Sequence, residues 1–126
     1  MLLLFSHKLT QKQINELKQV YNVIDFIYLT NDLQSIWSSI PPDISSLKEV
    51  IKPIKCFIDK NIKKDDVVLI QGDFGATYEM VNYVKSKGAI AVYATTKREI
   101  VEYTNEKGEY MKKTVFEHRR FREYGF

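Results

Sequence analysis

VVLIQGDFGATYEMVNYVKSKGAIAVYA, residues 67–94, decides the fold of this chain. The run VVLIQ at 67–71 is short, apolar and closed by glycine, the mark of a strand buried on both faces. Ala76–Lys87 then sets Met80 and Val84 on one face of a helix. Gly88 stops that helix, because glycine adopts the left-handed conformation of a C-cap at little cost. IAVYA at 90–94 is a further apolar strand. A strand, a helix and a second strand in this order make a βαβ unit with parallel strands and a right-handed crossover.

Upstream the alternation repeats. LLLFS at 2–6 reads as a first buried strand. Thr10 and Gln13 form a capping box that opens a helix with Ile14, Leu17 and Tyr21 on one face. FIYLT at 26–30 reads as a second buried strand, followed by a short apolar segment (Leu33, Ile36, Trp37, Ile40) that ends at Pro41-Pro42. Ser46 and Glu49 form another capping box, before a helix carrying Leu47, Val50, Ile51, Ile54, Phe57 and Ile58, which Pro53 is expected to kink or restart. Downstream, residues 99–104 and 110–117 flank NEKGE, where Gly108 suits the turn of a hairpin at a sheet edge or subunit contact. The chain is therefore expected to be one α/β domain, residues 1–126, with a minimal Rossmann-like, mainly parallel sheet flanked by helices and a C-terminal β-hairpin.

Length and composition agree, since 126 residues suit one domain and 44% hydrophobic content argues against disorder. No apolar run nears the ~18 residues a membrane span needs. MLLLF is followed at once by polar residues without a cleavage signature, so it reads as a strand rather than a signal peptide and the expected location is cytoplasmic. The single cysteine, Cys56, excludes an internal disulfide; within IKCFI it reads as a buried structural thiol. Two separated histidines and no carboxylate cluster offer a poor metal site. A net charge of +3 suits a local anion pocket and is too small for a long nucleic-acid track.

In open parallel sheets ligands bind beyond the carboxyl ends of the strands, where strand order reverses. That rule selects three loops: Ser6-His7-Lys8, Gly72-Asp73-Phe74-Gly75-Ala76-Thr77 and Thr95-Thr96-Lys97-Arg98. In the second, two glycines bracket a strand-to-helix turn whose N–H groups can meet an anion, with Thr77 adding a hydroxyl. The glycines serve equally well in a plain tight turn. Asp73 either contacts ligand or caps the helix, and Phe74 either stacks on a base or anchors the loop. Lys97 and Arg98 with Thr95 and Thr96 can hold a phosphodiester, or stand as solvated edge residues. His7 is a candidate acid–base, or a simple backbone donor. Ser6 has no triad partners and is a binding candidate. The basic run His118-Arg119-Arg120-Phe121-Arg122 offers Arg119, Arg120 and Arg122 to nucleic acid or a multi-phosphate ligand, or forms a charged tail balanced by Glu117 and Glu123.

LLLFSHKLT, IWSSIPPD, VLIQGDFGATYEMVNYV, YATTKREIVE and VFEHRRFREY together resemble the CRISPR-associated Csx family numbered twenty, the standalone ring nucleases of type III CRISPR systems. The resemblance spans nearly the whole chain, and VLIQGDFGATY is its most specific segment. It implies a CARF-related fold, a homodimer, and cleavage of cyclic oligoadenylate, most often cyclic tetra-adenylate, which switches off antiviral signalling. It also implies chemistry without metal or other cofactor, in which a ribose 2′-hydroxyl attacks its own phosphate and leaves a 2′,3′-cyclic phosphate. A non-catalytic sensor or sponge for the same ligand is the alternative. Individual roles come from position and chemistry. Lys97 and Arg98 would stabilise the phosphorane, Thr95 and Thr96 orient the phosphate, His7 move a proton, and the Gly72–Thr77 backbone seat phosphate or ribose.

Overall fold

A computed structural model describes Met1–Gly125; Phe126, the last residue of the expected domain, lies outside the described residues. The order is β1 (Leu2–Leu4), α1 (Gln11–Val20), β2 (Ile27–Tyr28), α2 (Asn31–Ser38), α3 (Lys48–Asn61), β3 (Val67–Ile70), α4 (Phe74–Ser86), β4 (Ile90–Thr104) and β5 (Tyr110–Glu123). These strands form one sheet in the order β2-β1-β3-β4-β5, with β5 alone antiparallel. The expected α/β architecture is therefore present.

Strand alternation divides the core. Leu2, Leu4, Val68 and Ile70 pack under α2, α3 and α4 with Trp37, Ile51, Ile54, Ile58, Met80 and Val84. Leu3, Val67, Leu69 and Val92 pack on the opposite face with Leu17 of α1 and Phe121 of β5. Because β1 and β3 are sheltered on both faces, their residues are apolar without a break.

Local signals account for several helix ends. Gln13 N–H donates to Thr10 Oγ1 at 3.2 Å and Thr10 N–H to Gln13 Oε1 at 2.9 Å, the expected capping box. Gly88, at φ +80°, follows α4; its N–H reaches Lys85 O and the Ala89 N–H reaches Val84 O, so the last carbonyls are satisfied.

Five expectations are corrected. The second strand is a two-residue edge strand paired only with β1, leaving Tyr28 exposed instead of buried. Ser46 and Glu49 form no capping box: α3 starts at Lys48, whose N–H bonds Ser46 Oγ, and Leu47 holds the N-cap position without a side-chain bond. Of the two effects expected of Pro53, the restart is absent, since α3 runs unbroken to Asn61. Cys56 is exposed. It lies two residues from Ile54, about 200° around the helix from the buried stripe Ile51, Ile54 and Ile58. Finally, the fourth strand does not stop at residue 94, nor the last at 117. β4 runs to Thr104 and β5 to Glu123, so the apolar strand and the hairpin form one long ribbon. β3 pairs with β4 only as far as Val92, and beyond that point the ribbon projects past the sheet's carboxyl edge.

Candidate functional site

β1 is flanked by β2 on one side and β3 on the other, so the order of connection reverses between β1 and β3. This is the switch point where doubly wound folds with a 2-1-3-4-5 order bind ligands. Ser6, His7 and Lys8 leave the end of β1 and are exposed. His7 rests edge-on against Phe5, with ring centroids 5.5 Å apart, and makes no hydrogen bond to the described residues. Gly72 and Asp73 leave the neighbouring strand, held to β1 where Gln71 N–H reaches Leu4 O at 2.9 Å.

α2 packs over the ends of both strands. Trp37 Nε1 donates to Gln71 O at 2.9 Å, and Gln34 Nε2 donates to Phe5 O at 3.2 Å. This packing explains the glycine at 72, where a Cβ would stand 2.9 Å from two atoms of the Trp37 indole. A Cβ at Gly75 would stand 3.1 Å from Leu47 Cδ1. Both glycines thus have a packing reason. Asp73 is the N-cap of α4, its Oδ2 accepting from Ala76 N–H at 3.0 Å. The helix begins at Phe74, two residues before the expected Ala76, and leaves the Phe74 ring 95% exposed at the rim.

Thr95, Thr96, Lys97 and Arg98 do not form a loop. They continue β4, so successive side chains alternate between faces. Thr96 pairs with His118, which faces α1, and Arg98 shares that side. Thr95 and Lys97 lie on the other. The Thr95 hydroxyl donates to Arg120 O at 2.9 Å, and Lys97 pairs with Glu99 at 3.1 Å. Arg98 makes no ion pair with the described residues.

The basic run is a strand as well, and its members separate. Opposite the step from Thr95 to Thr96 the register shifts, inserting Arg119 as a bulge. The extra residue turns both His118 and Phe121 toward α1. His118 is buried: Nε2 lies 2.9 Å from Glu16 Oε1 and Nδ1 3.4 Å from Gln13 Nε2. The second Glu16 oxygen accepts from Phe121 N–H. Arg119 pairs with Glu117 at 3.7 Å. The bonded Lys12 ammonium, then Arg119 and Lys97, hold the Glu117 carboxyl below its ordinary range. Arg120 Nε donates to Phe121 O at the outer edge of β5, beside Tyr21. Burial first, and then Glu16, raise the Tyr21 phenol. Arg122 lies over the Tyr93 ring, 5.0 Å from its centroid, and Tyr93 packs on Tyr124 at 4.7 Å. Burial and then Tyr93 raise the Tyr124 phenol, which donates to Ile70 O at 2.6 Å.

The family model described as "Uncharacterized protein MJ1673 family" matches residues 1–122. The chain belongs to the MJ1673 family. One relative, described as "Uncharacterized protein MJ1673" from Methanocaldococcus jannaschii, is 50% identical over 124 residues, covering 98% of this chain and 95% of that one. No solved structure matches. Neither description names an activity.

In this MJ1673-family chain, residues that the sequence did not mark as site candidates hold the rim together. Trp37 and Gln34 tie α2 to the ends of β3 and β1, and Gln71 orients β4 through a 2.8 Å bond from Ala94 N–H to its Oε1. The pair Gln13 and Glu16, spaced as neighbours on the α1 face opposite a buried histidine, had no local signal because His118 is 102 residues from Glu16. Among the described residues no group of three His, Cys, Asp or Glu side chains is placed to hold a metal ion, and no helix is long and apolar enough to cross a membrane.

The Gly72 contact is directly testable. Gly72→Ala is expected to cost about 1–3 kcal/mol, because its methyl must displace a buried indole. Trp37 is the only tryptophan, so its fluorescence reports both the unfolding midpoint and the change at the site. A change in stability below about 0.5 kcal/mol would show that the indole moves freely and that Gly72 is not fixed by packing.

Proposed function

We propose that this chain is a ring nuclease that cleaves cyclic oligoadenylate, most readily cyclic tetra-adenylate, and so ends type III CRISPR signalling. The resemblance to the Csx family numbered twenty supplies the ligand and the reaction. The observation that supports it is that two candidate segments extend past the same carboxyl rim of the sheet. The loop carrying Ser6, His7 and Lys8 leaves one side of the β1/β3 switch point, and the ribbon carries Arg98, free of any described carboxylate, past the same rim.

In this proposal the 2′-oxygen of one ribose attacks the adjacent phosphorus as the bond from phosphorus to the 5′-oxygen breaks. The products are a 2′,3′-cyclic phosphate and a 5′-hydroxyl. His7 accepts the 2′-hydroxyl proton, and water protonates the leaving 5′-oxygen. Arg98 offers paired N–H donors to the phosphorane, where charge builds only in the transition state. Lys97, on the other face and paired with Glu99, supplies longer-range positive potential. Ser6 and the Gly72–Thr77 segment position the ring. A homodimer would place one such set on each side of a two-fold ligand.

Purified protein incubated with cyclic tetra-adenylate in EDTA is expected to yield linear products ending in 2′,3′-cyclic phosphate, read by chromatography with mass detection. Intact ring with binding retained would sink the nuclease assignment in favour of a sponge. Loss of cleavage on chelation alone would overturn the metal-independent chemistry.

A further inference from the structure

On the α4 side of the rim, Gln71, Gly72, Phe74, Thr77, Tyr93 and Tyr124 line a recess of about 220 Å³. Its chemistry differs from that of the His7 and Arg98 side. Three observations converge there.

Phe74 occupies the first position of α4 and presents nearly its whole ring to solvent at the mouth. Nothing in the described chain covers it, so a planar partner can lie against it. The Gln71 amide is oriented: its Oε1 is engaged by Ala94 N–H, and its Nε2 has no partner among the described residues. That nitrogen is a fixed donor with two protons to give. Beside the recess, the Arg122 guanidinium lies on Tyr93, its Nε bonded to the Tyr93 hydroxyl, with no ion pair to the described residues.

A flat apolar platform, an oriented N–H donor and an adjacent guanidinium match the parts of one nucleotide. Purine ring nitrogens accept hydrogen bonds, and the phosphate beside the base carries the charge. We propose that this recess is a base-binding subsite, in which adenine stacks on Phe74 and accepts from Gln71 Nε2, with Arg122 on the neighbouring phosphate. The choice of adenine over another purine rests on the ring-nuclease reading; the stacking and donor geometry do not.

The test uses two probes on the full chain. NMR titration with AMP reports the recess directly, through transferred contacts between adenine H2 or H8 and the Phe74 ring and through shifts at Gly72 and Thr77. Calorimetric titration with cyclic tetra-adenylate reports the whole ligand. Phe74→Ala is expected to weaken ring binding by roughly ten- to a hundredfold, the usual loss for one base–aromatic stack, while Phe74→Trp retains it. Gln71→Glu keeps the acceptor for Ala94 N–H, removes the donor, and is expected to weaken both probes.

The outcomes separate the two proposals. AMP contacts to Phe74 without any binding of the cyclic ring would overturn the ring-nuclease reading and uphold the subsite. Ring binding equal in wild type and Phe74→Ala, with no AMP contact to Phe74, would overturn the subsite and leave the ring-nuclease reading standing. Failure of both probes would overturn both.

Discussion

Phe121→Ala is expected to lower the thermal midpoint by roughly 10–20 °C, the consequence of losing about 3–5 kcal/mol when a fully buried phenyl ring becomes a cavity. Phe121 is 0% exposed and packs with Leu3, Leu17, Leu69 and Val92 under α1. Its ring lies 4.9 Å from the His118 ring, so the substitution also loosens the buried pair between His118 and Glu16. Circular dichroism melts without ligand check this result. A shift below about 3 °C, less than 1 kcal/mol for a domain near this size, would mean that the polar bonds alone hold α1 to β5.

The second large effect is kinetic and rests on the proposed function. Arg98→Ala is expected to slow single-turnover cleavage of cyclic tetra-adenylate by roughly 10²–10³-fold, the usual loss for one donor aimed at developing oxyanion charge. Ring affinity should fall far less, because the phosphorane carries more charge than the ground-state diester. Arg98→Lys should recover part of the rate, since it keeps the charge and loses the bidentate geometry. Arg98 is exposed and unpaired among the described residues, so stability should change little. A rate within twofold of wild type would remove Arg98 from the chemistry.

The fold was legible where one physical signal dominated. VVLI and LLL are apolar at every position because both faces of those strands are covered. Thr10 with Gln13 and the glycine at 88 announced their helix ends through local hydrogen bonds, which depend on neighbours in sequence alone. Polarity misled where it was taken for a boundary. TTKR looked like a loop after the fourth strand, yet it continues β4 past the end of its pairing with β3, where Thr96, Lys97 and Arg98 are exposed and polar side chains are tolerated in a strand. Cys56 looked buried because it sits among isoleucines, but sequence neighbours on a helix face different ways.

The site was legible only in outline. Topology alone located the rim, and the loops after β1 and β3 do emerge there. The glycines of GDFGAT were ambiguous because a close-packed indole and a close-packed ligand impose the same requirement, and Trp37 lies 35 residues earlier in the chain. His118, grouped with the arginines by composition, belongs to the interior; only a bulge invisible in the sequence turns it there.

That buried histidine has a consequence for how the protein is made. Gln13 and Glu16 emerge from the ribosome early, but their partners His118 and Phe121 lie more than 100 residues downstream. While synthesis proceeds, α1 carries two polar side chains whose buried bonds have no counterpart yet. Because α1 is fastened by β5, a nascent chain stalled before β5 keeps that helix unlocked.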